Sequence, residues 1–371
     1  MTLTTDPTTD RALPQIPVPA IDPAKVEAFA GQLLDDYAGA MTTLMTIVGD
    51  RLGLYSALAG AGSVTSDELA ATTGLNPRLV REWLAAQTAS AYVDYDPVLA
   101  TYELPAEHAL ALTEVDSPAY IVGVCEIILG QFLAVDQLER AFRTDGGIPY
   151  GAYHGCTHRG IERFFRTAYA NELAATWFPA VEGLVERLEA GARVADVGCG
   201  HGQSTLIMAR TWPDSTFTGF DFHEPSVIEA RANATEAGAS ASVSFRVADS
   251  TSFGPGPFDV VVFFDALHDM GDPPAALRRA YEVLAPGGVV VAVEPWSLDR
   301  LEDGIGNPLV RLDYAASTAL CTPTSLSQPG AYGLGNQGGA EVRLQLLAQA
   351  GFRNPVLAAD TGFNLVVAAT R

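Results

Sequence analysis

The chain has 371 residues and a formal charge of −22, with 48% hydrophobic and 18% charged residues. That length exceeds one comfortable core and predicts about two domains plus extensions. The composition is that of a globular protein, and the acidic charge repels polyphosphates and anionic membranes, which excludes nucleic acid and membrane as expected partners.

Residues 1–22 are rich in Thr, Asp and Pro and lack both apolar periodicity and a charged-then-apolar signal pattern, so they read as a flexible tail on a cytoplasmic protein. Residues 23–58 place Val26, Phe29, Leu33, Tyr37, Met41, Leu44 and Val48 at helical spacing, which predicts one or two helices. Thr65-Ser66-Asp67-Glu68 is a capping-box start for the next helix, stopped at Gly74, and Asn76-Pro77 opens another whose expected core face is Leu79, Val80, Trp83 and Leu84. Tyr92-Val93-Asp94-Tyr95 and Thr101-Tyr102-Glu103-Leu104 then form a hairpin across Asp96-Pro97. Helices followed by a hairpin predict a winged helix over residues 23–115. Its candidate recognition helix sets only Arg78 and Arg81 against Glu82, so dimerisation and pocket formation are expected of it rather than DNA binding.

Residues 116–189 read as a helical linker that helps to form a pocket. The apolar stretch 120–135 is interrupted by Glu126 and Gln131, too short to span a bilayer, and is expected to be a buried helix. An irregular segment, 146–160, separates it from a helix over 164–188. Here His154, His158, Trp177 and Phe178 are candidate pocket residues. The pair His154 and His158 lacks further ligands nearby, and Cys125, Cys156, Cys199 and Cys321 lack C-x-x-C spacing, so neither metal nor disulfides are expected.

From residue 190 onward strands alternate with helices: 193–197, 216–221, 242–247, 259–264 and 289–293, then 355–359 and 364–369 around Gly362. Apolar strands with crossover helices predict an α/β, Rossmann-like, seven-stranded sheet, parallel except for its final strand. The run Ser325 to Gly339 is long for a loop in a compact domain, which fits either a lid or an open surface segment.

The first of these strands runs into Asp196-Val197-Gly198-Cys199-Gly200-His201-Gly202, a glycine-rich turn that lets a ligand approach the backbone at a helix start. A nicotinamide fingerprint would read G-x-G-x-x-G; this one reads G-x-G-x-G with an acid two places before it, which suits a ligand bearing positive charge. Asp221 ends the second strand, placed for ribose hydroxyls, and Asp249 ends the third, placed for an adenine amino group.

With these acids and the Leu284-Ala285-Pro286-Gly287-Gly288 turn, the chain from Arg193 onward resembles class I methyltransferases dependent on S-adenosyl-L-methionine (SAM). With the winged helix added, it is similar to the small-molecule O-methyltransferase-like branch. The resemblance implies a homodimer, a small-molecule acceptor and S-adenosyl-L-homocysteine as product. It assigns Asp196, Gly198, Gly200, Gly202, Asp221, Phe222, Asp249, Ser250 and Phe264 to the cofactor. Leu267-His268-Asp269 is similar to the family's L-H-D segment, which makes His268 a base for the acceptor hydroxyl, Asp269 its catalytic neighbour and Glu294 its orienting acid. Where plant-type relatives carry a second glutamate, this chain reads Cys321-Thr322-Pro323-Thr324-Ser325. Transfer to nitrogen or carbon, or another SAM-using reaction, without a histidine base is the alternative, and a SAM-responsive DNA-binding regulator is a third reading.

Overall fold

A computed structural model describes residues 21–144, 146–239 and 241–371 of the protein; residues 1–20 of the expected tail lie outside it. The described residues divide into two units between Thr43 and Leu44. The described part of the first is mostly helix α1 (Pro23–Arg51), on which Phe29, Leu34, Tyr37 and Met41 are exposed.

In the second unit, α2 (Leu54–Leu58), α3 (Ser66–Thr73), α4 (Pro77–Ala89), strands β1 (Asp94–Asp96) and β2 (Thr101–Glu103), and α5 (Ala106–Leu112) follow in order. The capping box forms as expected, with Thr65 and Glu68 exchanging hydrogen bonds, and Gly74 ends α3 in the left-handed conformation. Asn76 caps α4. Val80, Trp83 and Leu84 pack with Tyr55 and Leu58 in a small core, whereas Leu79, expected there, is 67% exposed because it stands at the edge of the buried face of α4.

Helices α6 (Gly123–Leu133) and α7 (Val135–Arg143) meet at Ala134. The expectation that this apolar stretch is a buried helix is corrected: only Gly123, Glu126 and Gly130 of α6 are buried, and Ile121, Phe132, Leu133 and Val135 are exposed. Gly123 and Gly160 allow close approach to the next helix, α8 (Gly155–Glu172), since a Cβ at either would collide with the facing backbone. The expected irregular segment therefore ends at Gly155. A π-helical turn, Leu173–Trp177, and α9 (Leu184–Glu189) lead into the sheet.

The sheet contains β3 (Arg193–Val197), β4 (Thr216–Asp221), β5 (Val243–Val247), β6 (Phe258–Phe264), β7 (Leu284–Pro295), β8 (Arg353–Asp360) and β9 (Asn364–Thr370). Helices α10 (Gln203–Thr211), α11 (Glu224–Glu236) and α12 (Pro273–Val283) make the crossovers, and α13 (Pro308–Ala316), α14 (Thr322–Leu326) and α15 (Gly339–Gln349) stand between β7 and β8. The order is β5-β4-β3-β6-β7-β9-β8, with β9 antiparallel to both neighbours, as expected for the final strand. The expected turn at 284–288 is a bulge within β7, where pairing with β6 jumps from Leu284 to Val289. Valine runs on β6 and β7 are buried on both faces: Val260, Val262 and Val291 point to one hydrophobic layer, Val261, Phe263 and Val290 to the other. Strand order, not strand direction, reverses between the parallel β3 and β6, and a ligand crevice is expected outside the carboxyl ends of those strands.

Candidate active site

The crevice at this switch point opens into a cavity of about 760 Å³, whose wall is contributed by α6, α8, α13 and the loops after β3, β4, β5 and β6. At the β3 end, Gly198, Gly200 and Gly202 all have positive φ. Their surroundings differ. A Cβ on Gly200 would meet nothing within 4 Å and would project into open space, one on Gly198 would meet Ala266, and one on Gly202 would strike the Phe245 ring at 2.5 Å. Gly198 and Gly200 line the cavity; Gly202 instead closes helix α10 onto β5.

Asp221 holds the loop in place. Its carboxylate accepts from Gly200 N at 2.9 Å and His223 N at 2.8 Å, and burial raises its pKa while these two amides partly offset the rise. Asp221, Phe222, Asp249, Ser250 and Phe264 line the cavity. Asp249 is exposed and uses one oxygen to hold Thr251. Asp196 departs from its expected place. It is fully buried, accepts from the Ser204 and Thr205 hydroxyls at 2.7 and 2.6 Å, and does not line the cavity. Burial pushes its pKa up to about 6 against those hydrogen bonds. Its contact role is to fasten the first turn of α10 to β3. The open side of Gly200 and the strand-end acids Asp221 and Asp249 fit a nucleoside carrying a cationic group.

Across the crevice, His268 is 4% exposed on a short turn after β6. Its Nδ1 lies 2.9 Å from Glu294 Oε2, and Glu294 also accepts from the main-chain nitrogens of Leu267 and His268 at 3.0 and 3.1 Å. Glu294 is completely buried on β7 behind the cavity wall. Asp269 Oδ1 sits 3.0 Å from His268 Nε2. Burial opposes the imidazolium, but Asp269 and Glu294 outweigh it, and the pKa of His268 is raised well above its ordinary value. Glu294 in turn is lowered: burial raises it, and the charges of His268 and Arg343 prevail.

Several residues of this site were not singled out by sequence reasoning. Arg343, fully buried on α15, brings its Nε to 3.9 Å from Glu294 Oε2 and donates to Gly339 O. Asp265, at positive φ, receives a bond from Asn364 on one oxygen, has no partner on the other, and is raised well above its ordinary pKa by burial and Glu294. Cys321 ends a second π-helical turn, Ser317–Cys321, and its thiol, pushed up to about 12 by burial and Asp269, joins His268 and Asp269 in a group whose ligand-capable atoms lie within 4.8 Å of one another. π-Turns are often found at functional sites, but nothing in residue order announces them.

Among the expected acceptor-pocket residues, His158 lines the cavity, its Nε2 3.1 Å from Tyr150 O and its pKa lowered by burial. The other three are corrected. His154 caps α8 by accepting from Cys156 N, and Trp177 and Phe178 are buried in the core against Phe264. Aromatic residues flanking a helix break carry the same composition whether they face a ligand or a sheet. The segment 325–336 is tied down rather than open: Ser325 Oγ donates to Met270 O, Gln328 bridges Asp269 O and Gly271 N, and the amides of Tyr332 and Gly335 reach Gly271 O and His268 O.

A seven-stranded sheet with this order, a glycine loop and strand-end acids at its switch point, and a winged helix ahead of it define a class I SAM-dependent methyltransferase fold. The chain matches the model of a methyltransferase domain over residues 188–321 and that of an Rv2258c-like winged HTH domain over residues 40–114. It is 35% identical over 128 residues to 27-O-demethylrifamycin SV methyltransferase of Amycolatopsis mediterranei, covering 32% of this chain and 47% of that protein. It is likewise 35% identical over 136 residues to phosphoethanolamine N-methyltransferase 1 of Triticum aestivum, covering 36% and 27%. The chain thus spans less than half the length of these curated relatives. Among solved structures, an O-methyltransferase family protein from Burkholderia thailandensis superposes with a TM-score of 0.69 at 16% identity over 95% of this chain and 98% of that one. Human N-acetylserotonin methyltransferase in complex with SAM gives 0.69 at 20% identity over 92% and 97%. Among the described residues no helix is long and apolar enough to cross a membrane.

Proposed function

We propose that the protein transfers the methyl group of SAM to a hydroxyl of a small, largely apolar acceptor, with His268 as general base. The observation that carries this is His268, on the wall of the same cavity that Gly200 and Asp221 line, with the buried Glu294 behind it at 2.9 Å. When bound, SAM supplies an electrophilic sulfonium methyl and departs as S-adenosyl-L-homocysteine. Asp221 would hold the ribose, and Asp249 the adenine edge, each through a carboxylate at a strand end. Glu294 would fix the histidine ring through Nδ1, and Nε2, which faces Asp269 Oδ1 at 3.0 Å, would take the hydroxyl proton from the neutral form of the ring while the oxygen gains the methyl group. A phenol, with a pKa of about 10, is a poor nucleophile unless that proton is withdrawn during transfer, and a placed base contributes on the order of 10²–10⁴ in rate.

His268→Ala tests this directly. S-adenosyl-L-homocysteine affinity should stay near that of the parent while turnover falls roughly 10²-fold or more, because base assistance is felt only in the transition state. Near-normal turnover would refute the base assignment. A second reading is favoured by one contact: Asp269 Oδ1 at 3.0 Å from Nε2 holds the imidazole charged. In that case transfer proceeds by proximity to a nitrogen or carbon already nucleophilic, as the N-methyltransferase among the relatives would suggest. A DNA-binding regulator is disfavoured, since Arg78 and Arg81 of α4 are paired with Glu82 and Asp67. We further propose a homodimer that uses the exposed apolar residues of α1.

A further inference from the structure

The acceptor side of the cavity is apolar, with Val124, Ile128, Phe165, Leu309 and Leu312 from α6, α8 and α13 on its wall. Among the described lining residues there is neither lysine nor arginine, and every charged side chain other than histidine is a carboxylate. Asp221 and Asp249 have proposed work toward the cofactor, and Asp269 stands beside His268. Of the lining acids on the helices that bear the apolar wall, Glu162 and Glu172 stand on α8, with Glu162 near the charges of Arg166 and Arg163, and Asp313 on α13. Asp313 is on the same side of that helix as Leu309 and Leu312 and about two helical turns before Cys321. It is half-buried and lines the cavity, and its carboxylate makes no hydrogen bond or ion pair with another described residue. Burial alone raises its pKa, to about 6, with no neighbouring charge of either sign contributing.

A carboxylate drawn partly out of water without a partner costs free energy that a leucine at the same place would not. A cavity wall of one sign also selects its ligand, because a second anion placed there would meet only like charge. We propose that Asp313 recognises a protonated amine, so that the acceptor is a hydroxylated, apolar small molecule carrying an ammonium group at the end remote from the methylated atom, and that carboxylate-bearing acceptors are rejected. This rests on the methyltransferase reading above and adds the charge class of its substrate.

The test is calorimetry on the full-length protein saturated with S-adenosyl-L-homocysteine, using three probes on one skeleton: 2-naphthol, 6-(aminomethyl)-2-naphthol and 6-hydroxy-2-naphthoic acid. The ammonium probe should bind about ten-fold tighter than the neutral one, the scale of a single part-buried charge pair, and the carboxylate probe weaker than both. Asp313→Asn should abolish the advantage of the ammonium probe with S-adenosyl-L-homocysteine affinity unchanged, and Asp313→Glu should keep most of it. Equal binding of neutral and ammonium probes, tightest binding of the carboxylate, a preference that survives in Asp313→Asn, or no probe binding to the loaded protein would each overturn the proposal. Failure of the parent protein to bind S-adenosyl-L-homocysteine would instead overturn the methyltransferase reading beneath it.

Discussion

Replacing Glu294 by glutamine separates the charge of this residue from its shape. Leu267 N and His268 N reach different carboxylate oxygens, at 3.0 and 3.1 Å, so the amide oxygen keeps one of these two bonds and the size of the side chain is unchanged. What disappears is a full negative charge against the imidazolium. With charge centres about 4 Å apart and an effective dielectric constant of about 20, that charge is worth about 4 kcal/mol, or about 3 pKa units. Histidine-selective ¹⁵N spectra recorded across pH read the charge and tautomer of His268 without any acceptor. In the parent protein its midpoint should lie above the ordinary value of about 6.5, and in Glu294→Gln it should drop by about 3 units, with Asp269 sustaining the remainder. The acid limb of methyl transfer should move the same way, since the neutral base is populated at lower pH. Stability follows by linkage: the pairing of the imidazolium stabilises the fold at pH below about 6.5, and that contribution is lost as pH rises through the elevated folded value, more in the parent than in the variant. A parent His268 titrating at or below 6.5, or an identical midpoint in Glu294→Gln, would refute this reasoning.

Asp221→Ala should weaken S-adenosyl-L-homocysteine binding by about 1–3 kcal/mol in calorimetry, because ribose donors lose a charged acceptor and Gly200 N loses its anchor; unchanged affinity would remove Asp221 from the site. Gly200→Val should abolish that binding while costing only about 1–2 kcal/mol of stability for the left-handed backbone. Gly202→Val should lower the thermal midpoint further because it also collides with Phe245. Leu34→Asp with Tyr37→Asp should give a folded monomer by light scattering; a dimer that persists would place the interface elsewhere. Removing residues 1–60 would be a poorer test, since Leu54, Tyr55 and Leu58 belong to the winged-helix core.

The sheet was legible because valine-rich segments of strand length recur between helices, and β3, β4 and β9 fall within one residue of the expected spans. Acids at strand ends were legible for the same reason: strand direction fixes which residue arrives at the crevice. Which neighbours such an acid meets is not fixed in that way. Asp196 and Asp221 looked equivalent, yet the hydroxyls of Ser204 and Thr205 draw Asp196 beneath the loop. The neighbours of His268 divided likewise. Glu294 was readable from its place on β7, whereas Arg343 and Cys321 reach the site from distant helices whose packing leaves no local pattern. Helix α6 shows the limit of apolar composition: its small residues face α8, and several of its large ones remain exposed.

The bonds that bind residues 325–336 to the turn bearing His268 divide the labour of the cavity. Under the proposed function, chemistry would sit on a clamped half, where Ser325, Gln328, Tyr332 and Gly335 leave the histidine little room to wander. Recognition would sit on α6, α8 and α13, which contribute none of those clamps. Mutations that reshape the acceptor wall can therefore accumulate without misaligning the base, and a lineage built on this scaffold can exchange one acceptor for another while its reaction stays the same.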